Sequence, residues 1–205
     1  MAVSKSSWVL IAGAGALAVG LVLMPRTPGS FEPALPVEQG VALEDIGTDP
    51  VDVAVAKVSG ENPMEGILAL RALAESDPPN VDAVVWLGIF GIQSGQLDKA
   101  RERFSEALTL EPGHLEATWQ LAMLDMEEGA YDRAVVGFET VMGEDSTYVN
   151  GLFFTARCYE AMGKTEAALI RYNEYLPYAP DTVVANRVQD FITRLEFGTP
   201  AGTNE

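Results

Sequence analysis

The residue types that most often carry chemistry are scarce in this sequence. It contains one histidine, His114, and one cysteine, Cys158, and these two cannot complete an ordinary four-ligand zinc site. The sequence has no Gly-rich phosphate loop and no nucleophile elbow, and the adjacent carboxylates Glu127 and Glu128 are typical of a solvated helix end. We predict that His114 lies in a solvated loop and that Cys158 is a buried structural thiol. The sequence therefore predicts no catalysis, no cofactor, no metal and no small-molecule substrate.

The charge balance excludes another class of function. Thirteen Lys and Arg residues stand against thirty Asp and Glu residues, which gives a formal net charge of −17. Binding to DNA or RNA depends on cations that neutralise phosphates, so this balance argues against a nucleic-acid partner and against docking on anionic lipid headgroups. We interpret the acidic surface as a solvating one, with a basic protein partner as the alternative.

An uncharged apolar run at the N-terminus predicts a membrane anchor, residues 1–24. The run extends from Trp8 to Met24 and would cover roughly 26 Å as a helix, just enough to span a bilayer. Ala12, Ala16 and Gly20 follow a small-xxx-small spacing that would allow another transmembrane helix to approach closely. The alternative is that Gly and Ala are simply common in anchors. The residues after the run are bulky or proline, so we expect the anchor to remain uncleaved.

The flanks of the anchor suggest its orientation. Lys5 precedes the run and Arg26 follows it directly, and acidic residues dominate beyond. We expect the N-terminus inside and the soluble domain exported, which in a bacterium means an inner-membrane protein with a periplasmic domain. Residues 25–48 are rich in Pro and Gly without periodicity, and they predict a linker between the anchor and the domain.

The rest of the chain repeats itself. At a shift of 34 residues the same residue types recur in the same phase: glycine, then a small residue, then an aromatic ring. The aligned positions are Gly95, Gly129 and Gly163; Ala100, Ala134 and Ala168; Phe104, Phe138 and Tyr172; and Gly88, Ala122 and Ala156. Each unit has two apolar helical stretches separated by the glycine, which can end a helix in a left-handed conformation. The pattern predicts stacked helical hairpins.

This period and its residue pattern closely resemble those of the tetratricopeptide repeat (TPR) family. The resemblance implies an all-α solenoid with three units in residues 81–182. Residues 49–80 would form a degenerate unit, in which Asn62 and Glu65 form a capping box and Pro63 begins the second helix. Pro112 and Pro180 stand at the same position of two units, where the unit between them has Ser146. In that turn, Asp145 or Ser146 would cap the next helix. Residues 183–197 would form a capping helix with Arg187 on its outer face, and residues 198–205 a flexible tail.

The resemblance also implies a binding surface. First helices of TPR units line a concave groove that holds peptides or partner helices, and apolar side chains would occupy its middle here. The groove positions are Asp82, Val85, Ile89, Ile92, Glu116, Trp119, Met123, Met126, Asn150, Phe153, Arg157 and Glu160. An apolar or amphipathic segment with basic flanks would suit this surface. The alternative is that Trp119, Met123 and Phe153 pack into the core or under the terminal helix.

Together these features predict a membrane-tethered scaffold, adaptor or assembly factor, similar to bacterial single-span TPR proteins that assist envelope complexes. The anchor would confine the groove near the membrane and raise the effective concentration of a client. The alternative is a constitutive structural subunit of a membrane complex, held by the small-residue face of its anchor.

Overall fold

The computed structural model describes residues 49–197, and in this range every regular element is helical. The predicted anchor, linker and tail, including Ala12, Ala16 and Gly20, lie outside the described residues. The helices are α1 (Pro50–Ser59), α2 (Pro63–Ala74), α3 (Val81–Gln93), α4 (Leu97–Leu110), α5 (Leu115–Glu127), α6 (Tyr131–Glu144), α7 (Asn150–Ala161), α8 (Thr165–Tyr175), a 3₁₀ turn at Leu176–Tyr178, and α9 (Thr182–Phe197). Within residues 49–197, no helix has both the length and the apolar character needed to cross a bilayer.

The helices form antiparallel pairs that stack in sequence. Each helix contacts the next one along the chain, from α1 through to α9 by way of the 3₁₀ turn. The first helices of successive pairs also touch, α1 with α3 and α3 with α5. This alternation places the first helices on one side of the stack and the second helices on the other. The predicted all-helical solenoid is therefore confirmed for the described residues.

Three glycines end the first helices as the repeat predicted. Gly95, Gly129 and Gly163 have φ angles of 74°, 80° and 71°, a left-handed conformation that costs other residues free energy because of their Cβ. At the first of these turns the Gln96 N–H donates to the Gly91 carbonyl at 2.8 Å, the long hydrogen bond of a Schellman motif. Each first helix thus stops in the same way and turns back into its partner.

Small residues bring the paired helices into close contact. A Cβ on Gly88 would lie 2.5 Å from the Phe104 ring, and one on Gly137 would lie 2.7 Å from the Ala122 Cβ. Phe104, Phe138 and Tyr172 are fully buried, so the aromatic position of each repeat fills the interior of the stack. These contacts explain why the sequence alternates small and aromatic residues at fixed spacing.

Two capping predictions are wrong. Asn62 precedes α2 but its side chain makes no capping hydrogen bond, and Glu65 instead forms an ion pair with Lys57 of α1 at 2.7 Å. Because Lys57 offers a full charge, it outcompetes the backbone for the glutamate. Asp145 accepts a hydrogen bond from the Thr147 N–H at 2.8 Å, which closes a local turn rather than starting α7 at that point.

The terminal helix α9 covers the end of the stack. The Val184 N–H in its first turn donates to Asp181 Oδ1 at 2.8 Å. Val188 and Ile192 are buried against the last helix pair, and Val184, Phe191 and Leu195 pack around them. The apolar face expected for this helix is the face it buries, which closes the solenoid as terminal elements of repeat arrays must.

Candidate functional site

The predicted groove positions lie on the first helices α3, α5 and α7, but four of them are buried. Val85, Trp119, Met123 and Asn150 are 3%, 8%, 2% and 7% exposed. Ile89, Ile92, Met126 and Phe153 are partly buried. The middle of the predicted groove is therefore closed by side-chain packing. The alternative interpretation holds for Trp119 and Met123, which are buried, and Phe153 packs against Phe191 of the terminal helix.

An aromatic cluster explains why Trp119 is buried. Its ring centroid lies 5.0 Å from that of Phe138, 5.3 Å from that of Tyr148 and 5.5 Å from that of Phe154. Edge-on and tilted ring arrangements at such distances are favourable beyond the area they bury. Tyr148 belongs to the turn that departs from the repeat at Ser146, and its ring lies against the indole. The groove prediction failed here because the irregular turn supplies a partner that the period does not contain.

His114 has a structural role that the sequence did not predict. It is the N-cap of α5, where its Nδ1 accepts a hydrogen bond from the Ala117 N–H at 3.2 Å. Its Nε2 lies 3.2 Å from Oδ1 of Asp82 at the start of α3. The prediction of a solvated loop was wrong because the imidazole both caps its own helix and reaches the preceding unit. The contact also gives Asp82, a predicted groove residue, a partner within the fold.

The other predicted groove carboxylates also have intramolecular partners. Arg157 donates to Glu160 at 2.8 Å, and the buried Tyr172 hydroxyl donates to the same carboxylate oxygen at 2.7 Å. Burial, and then the hydrogen bond to Glu160, raise the pKa of Tyr172 above its usual value. Glu116 accepts a hydrogen bond from Gln120 at 2.8 Å. The carboxylates proposed to meet basic flanks of a client are thus already engaged.

A cavity of about 520 Å³ lies where the groove meets the terminal helix. Three predicted groove residues line it, Met126 from α5 and Phe153 and Arg157 from α7. Helix α9 supplies further lining residues, among them Arg187 and Phe191. Drug-sized ligands occupy cavities of several hundred Å³, so this one can hold one or two large side chains of a peptide segment.

The cavity combines apolar walls with positive charge. The Arg157 guanidinium lies 5.0 Å from the centre of the Phe191 ring, and that of Arg194 lies 4.7 Å from it, within the range of cation–π attraction. Arg187, at the cavity wall, forms no ion pair with any carboxylate of residues 49–197. The sequence did not predict that α9 lines the site. Helical periodicity placed Arg187 on the outer face of α9, and nothing in the sequence indicated that this face lies beside α7.

Cys158 is a buried thiol, as predicted. Its side chain is fully enclosed in the central core. Burial raises the pKa of the Cys158 thiol to about 12, against a lowering effect from the nearby Arg157 charge. The thiol is therefore neutral and poorly nucleophilic at physiological pH. Over the described residues, no three or more His, Cys, Asp or Glu side chains are grouped so as to hold a metal ion.

An ionic cluster joins two units, and no sequence signal indicated it. Asp125 on α5 is 8% exposed and lies 2.9 Å from Arg101 of α4 and 3.0 Å from Arg133 of α6. Burial by itself would raise the pKa of Asp125, but hydrogen bonds from Arg133 and Arg101 outweigh it and lower that pKa. Arg101 also contacts Glu128 at 2.9 Å. The cluster fixes the relative position of the helix pairs α3–α4 and α5–α6.

Comparison with known proteins agrees with this architecture. The tetratricopeptide repeat family matches residues 91–136, a stretch that runs from the end of α3 into α6. A crystal structure of MamA superposes with a TM-score of 0.61 at 18% sequence identity, over 75% of this chain and 88% of MamA. MamA from Desulfovibrio magneticus RS-1 gives a TM-score of 0.57 at 15% identity, over 76% of this chain and 99% of that one. A search of curated proteins gives no significant match.

The fold is of the tetratricopeptide-repeat type. At these identities the likeness to MamA establishes the fold alone. The first helices α5 and α7 and the terminal helix α9 supply most of the residues that line the cavity of about 520 Å³. This cavity is the candidate site.

Proposed function

We propose that this protein is a membrane-tethered protein-interaction scaffold, an adaptor or assembly factor, that holds a segment of a client protein in the cavity beneath α9. The observation that carries the proposal is the convergence of Met126, Phe153 and Arg157 with Arg187 and Phe191 around one open volume. Met126, Phe153 and Phe191 are only partly buried, and apolar side chains left partly in water mark surfaces that bind other proteins. The fold supports the proposal because stacked helical repeats offer extended binding surfaces.

The chemistry of the cavity defines the client segment. Apolar walls favour a large aliphatic or aromatic side chain, and Arg187 favours a carboxylate beside it. The basic flanks expected from the sequence have less support, since Asp82, Glu116 and Glu160 already have partners within the fold. We therefore propose an apolar or amphipathic segment with an acidic residue next to its apolar anchor.

The membrane part of the proposal rests on the apolar run from Trp8 to Met24. A single span at this point, with the domain exported, would place the solenoid in the periplasm of a bacterium. The tether would raise the local concentration of membrane-bound clients around the cavity. A reporter fused to the C-terminus and active only outside the cytoplasm tests the orientation: we expect activity, and an inactive but stably produced fusion reverses the assignment.

Site-specific photocrosslinking in native membranes tests the client-binding cavity. A benzophenone amino acid replaces Ala161, which lines the cavity, and in a matched control it replaces Ile170, an exposed residue on α8. We expect client adducts from position 161 and none of the same proteins from position 170. Equal adducts from both positions would contradict the proposal.

Charge reversal at Arg187 tests the proposed chemistry. Loss of an interfacial ion pair and its replacement by repulsion typically cost a few kcal/mol, so Arg187→Glu should reduce the adducts from position 161 about tenfold or more. Lys57→Glu, at a surface cation of α1 that lines neither cavity and pairs with the exposed Glu65, is the matched control and should leave them unchanged. A complex that copurifies at fixed stoichiometry with both variants would instead favour the structural-subunit alternative.

A further inference from the structure

A second cavity, of about 560 Å³, opens at the other end of the solenoid. Its lining comes from Val58 of α1, from α2 and α4, and from the C-terminal half of α3 with the turn that follows it. It shares no lining residue with the cavity beneath α9, and none of the predicted groove positions lines it. We call it the outer cleft.

The floor of the outer cleft is apolar. Val58, Ile67, Leu87 and Phe90 line it, and each remains partly exposed. Val58, Leu87 and Phe90 pack against the N-terminal core cluster from its edge. The floor is therefore a stable surface on which a bulky side chain could bury further apolar area, at roughly 25 cal/mol per Å².

The rim of the outer cleft carries positive charge without internal compensation. Arg71 and Lys99 both line it, and neither forms an ion pair with a carboxylate of residues 49–197. Two neighbouring cations without a carboxylate partner are unusual here, because the chain has thirty acidic and thirteen basic residues and most described Lys and Arg side chains do have such a partner. Uncompensated cations around an apolar floor attract a ligand that is both acidic and apolar.

Hydrogen bonds hold part of this rim in place. Lys99 Nζ donates to Gln96 at 2.8 Å, Gln96 donates to Ser94 at 2.9 Å, and the Ser94 hydroxyl donates to the Phe90 carbonyl at 2.9 Å. The lysine amine thus sits at the end of a chain of contacts anchored on α3. An ordered rim reduces the entropy lost when a ligand binds.

We infer that the outer cleft is a second protein-docking site, which binds an acidic peptide segment of a partner protein through one large apolar side chain flanked by Asp or Glu. A peptide fits better than a nucleic acid, because the apolar floor takes an aliphatic or aromatic side chain, which a phosphate backbone does not offer. A peptide also fits better than a small anion, because the apolar floor would then stay uncovered. With one site toward each end of the solenoid, the protein could bridge two partners. This inference does not depend on the cavity beneath α9.

Binding of designed peptides to the full-length protein in detergent micelles tests the inference. The probe is a fluorescein-labelled peptide of sequence EDEFEDE in which the phenylalanine is replaced by benzoylphenylalanine for photocrosslinking. We expect saturable binding by fluorescence anisotropy, and crosslinks that mass spectrometry maps to the outer cleft around Ile67, Leu87 or Phe90. Crosslinks confined to α7 and α9 would overturn the inference, since they would assign the peptide to the other cavity.

Charge-swap variants make the test specific. Arg71→Glu with Lys99→Glu, both exposed positions, should weaken binding at least tenfold, whereas Arg187→Glu should leave the crosslinks to the outer cleft unchanged. A peptide with lysine in place of every acidic residue should bind the double variant better than it binds the wild type. Unchanged affinity in the double variant would refute the role of the cations, and equal affinity of an EDESEDE control peptide would refute the apolar anchor.

Discussion

Replacement of Trp119 by alanine separates the two interpretations of this residue, buried core or groove surface. The indole is 8% exposed and contacts three aromatic rings. A buried Trp removes about 200 Å² from water, which at roughly 25 cal/mol per Å² corresponds to about 5 kcal/mol. Neighbouring side chains can partly fill the space that the indole leaves, which lowers this figure. We therefore expect Trp119→Ala to reduce the free energy of unfolding by about 3–5 kcal/mol. For a domain of this size the melting temperature should fall by about 6–20 °C.

Thermal unfolding of the full-length protein, followed by far-UV circular dichroism in detergent, measures this effect. Met126→Ala is the matched control, because Met126 is only partly buried and lines the cavity. We expect it to cost about 1 kcal/mol and to reduce client crosslinking from position 161. If Trp119→Ala melted within about 2 °C of the wild type and yet lost its clients, the indole would face the groove and our assignment of the aromatic cluster to the core would be wrong.

Three further substitutions and one labelling experiment probe the packing of the stack. Asp125→Asn should lower the free energy of unfolding by about 2 kcal/mol. Because the pKa of Asp125 is lowered in the folded state, its stabilising contribution is fully present above the pKa of the unfolded state. Urea titrations should show this contribution disappear as the pH falls through the folded-state pKa. Gly129→Ala, at φ 80°, should destabilise by about 1–2 kcal/mol, whereas Gly143→Ala, where a Cβ meets nothing within 4 Å, should be neutral or slightly stabilising in the same denaturation assay. Cys158, with its pKa raised to about 12, should react with a thiol reagent only as fast as the protein opens, and a fast reaction in the native state would contradict its burial.

Much of the fold could be predicted because the residue types at fixed positions of each repeat determine its turn and its helix contacts. Gly95 and its equivalents must adopt positive φ, and Gly88 must accommodate the Phe104 ring, so the period specified both the turns and the helix contacts. Apolar spacing in α9 likewise predicted the buried face with Val188 and Ile192. These features depend on local spacing, which the sequence contains.

The candidate site was less predictable because it depends on contacts outside the period. Tyr148 covers Trp119 from an irregular turn, and His114 reaches back to Asp82 in the preceding unit. Arg187 borders the cavity only because α9 lies beside α7. A repeat pattern assigns each residue a face of its helix, but it does not say which neighbouring element closes that face.

The relation between the two cavities follows from how the units are joined. Polar contacts between residues 32 positions apart connect neighbouring units along the stack: Asp82 contacts His114, Asp132 contacts Lys164 at 3.4 Å, and Glu139 contacts Arg171 at 2.9 Å. Each such exposed pair contributes little to the free energy of unfolding by itself. Together with the Asp125 cluster and the aromatic core, these pairs hold each unit in one orientation relative to the next. Since a solenoid transmits geometry only through neighbouring units, a loosened interface between the cavities would change the distance between two bound partners.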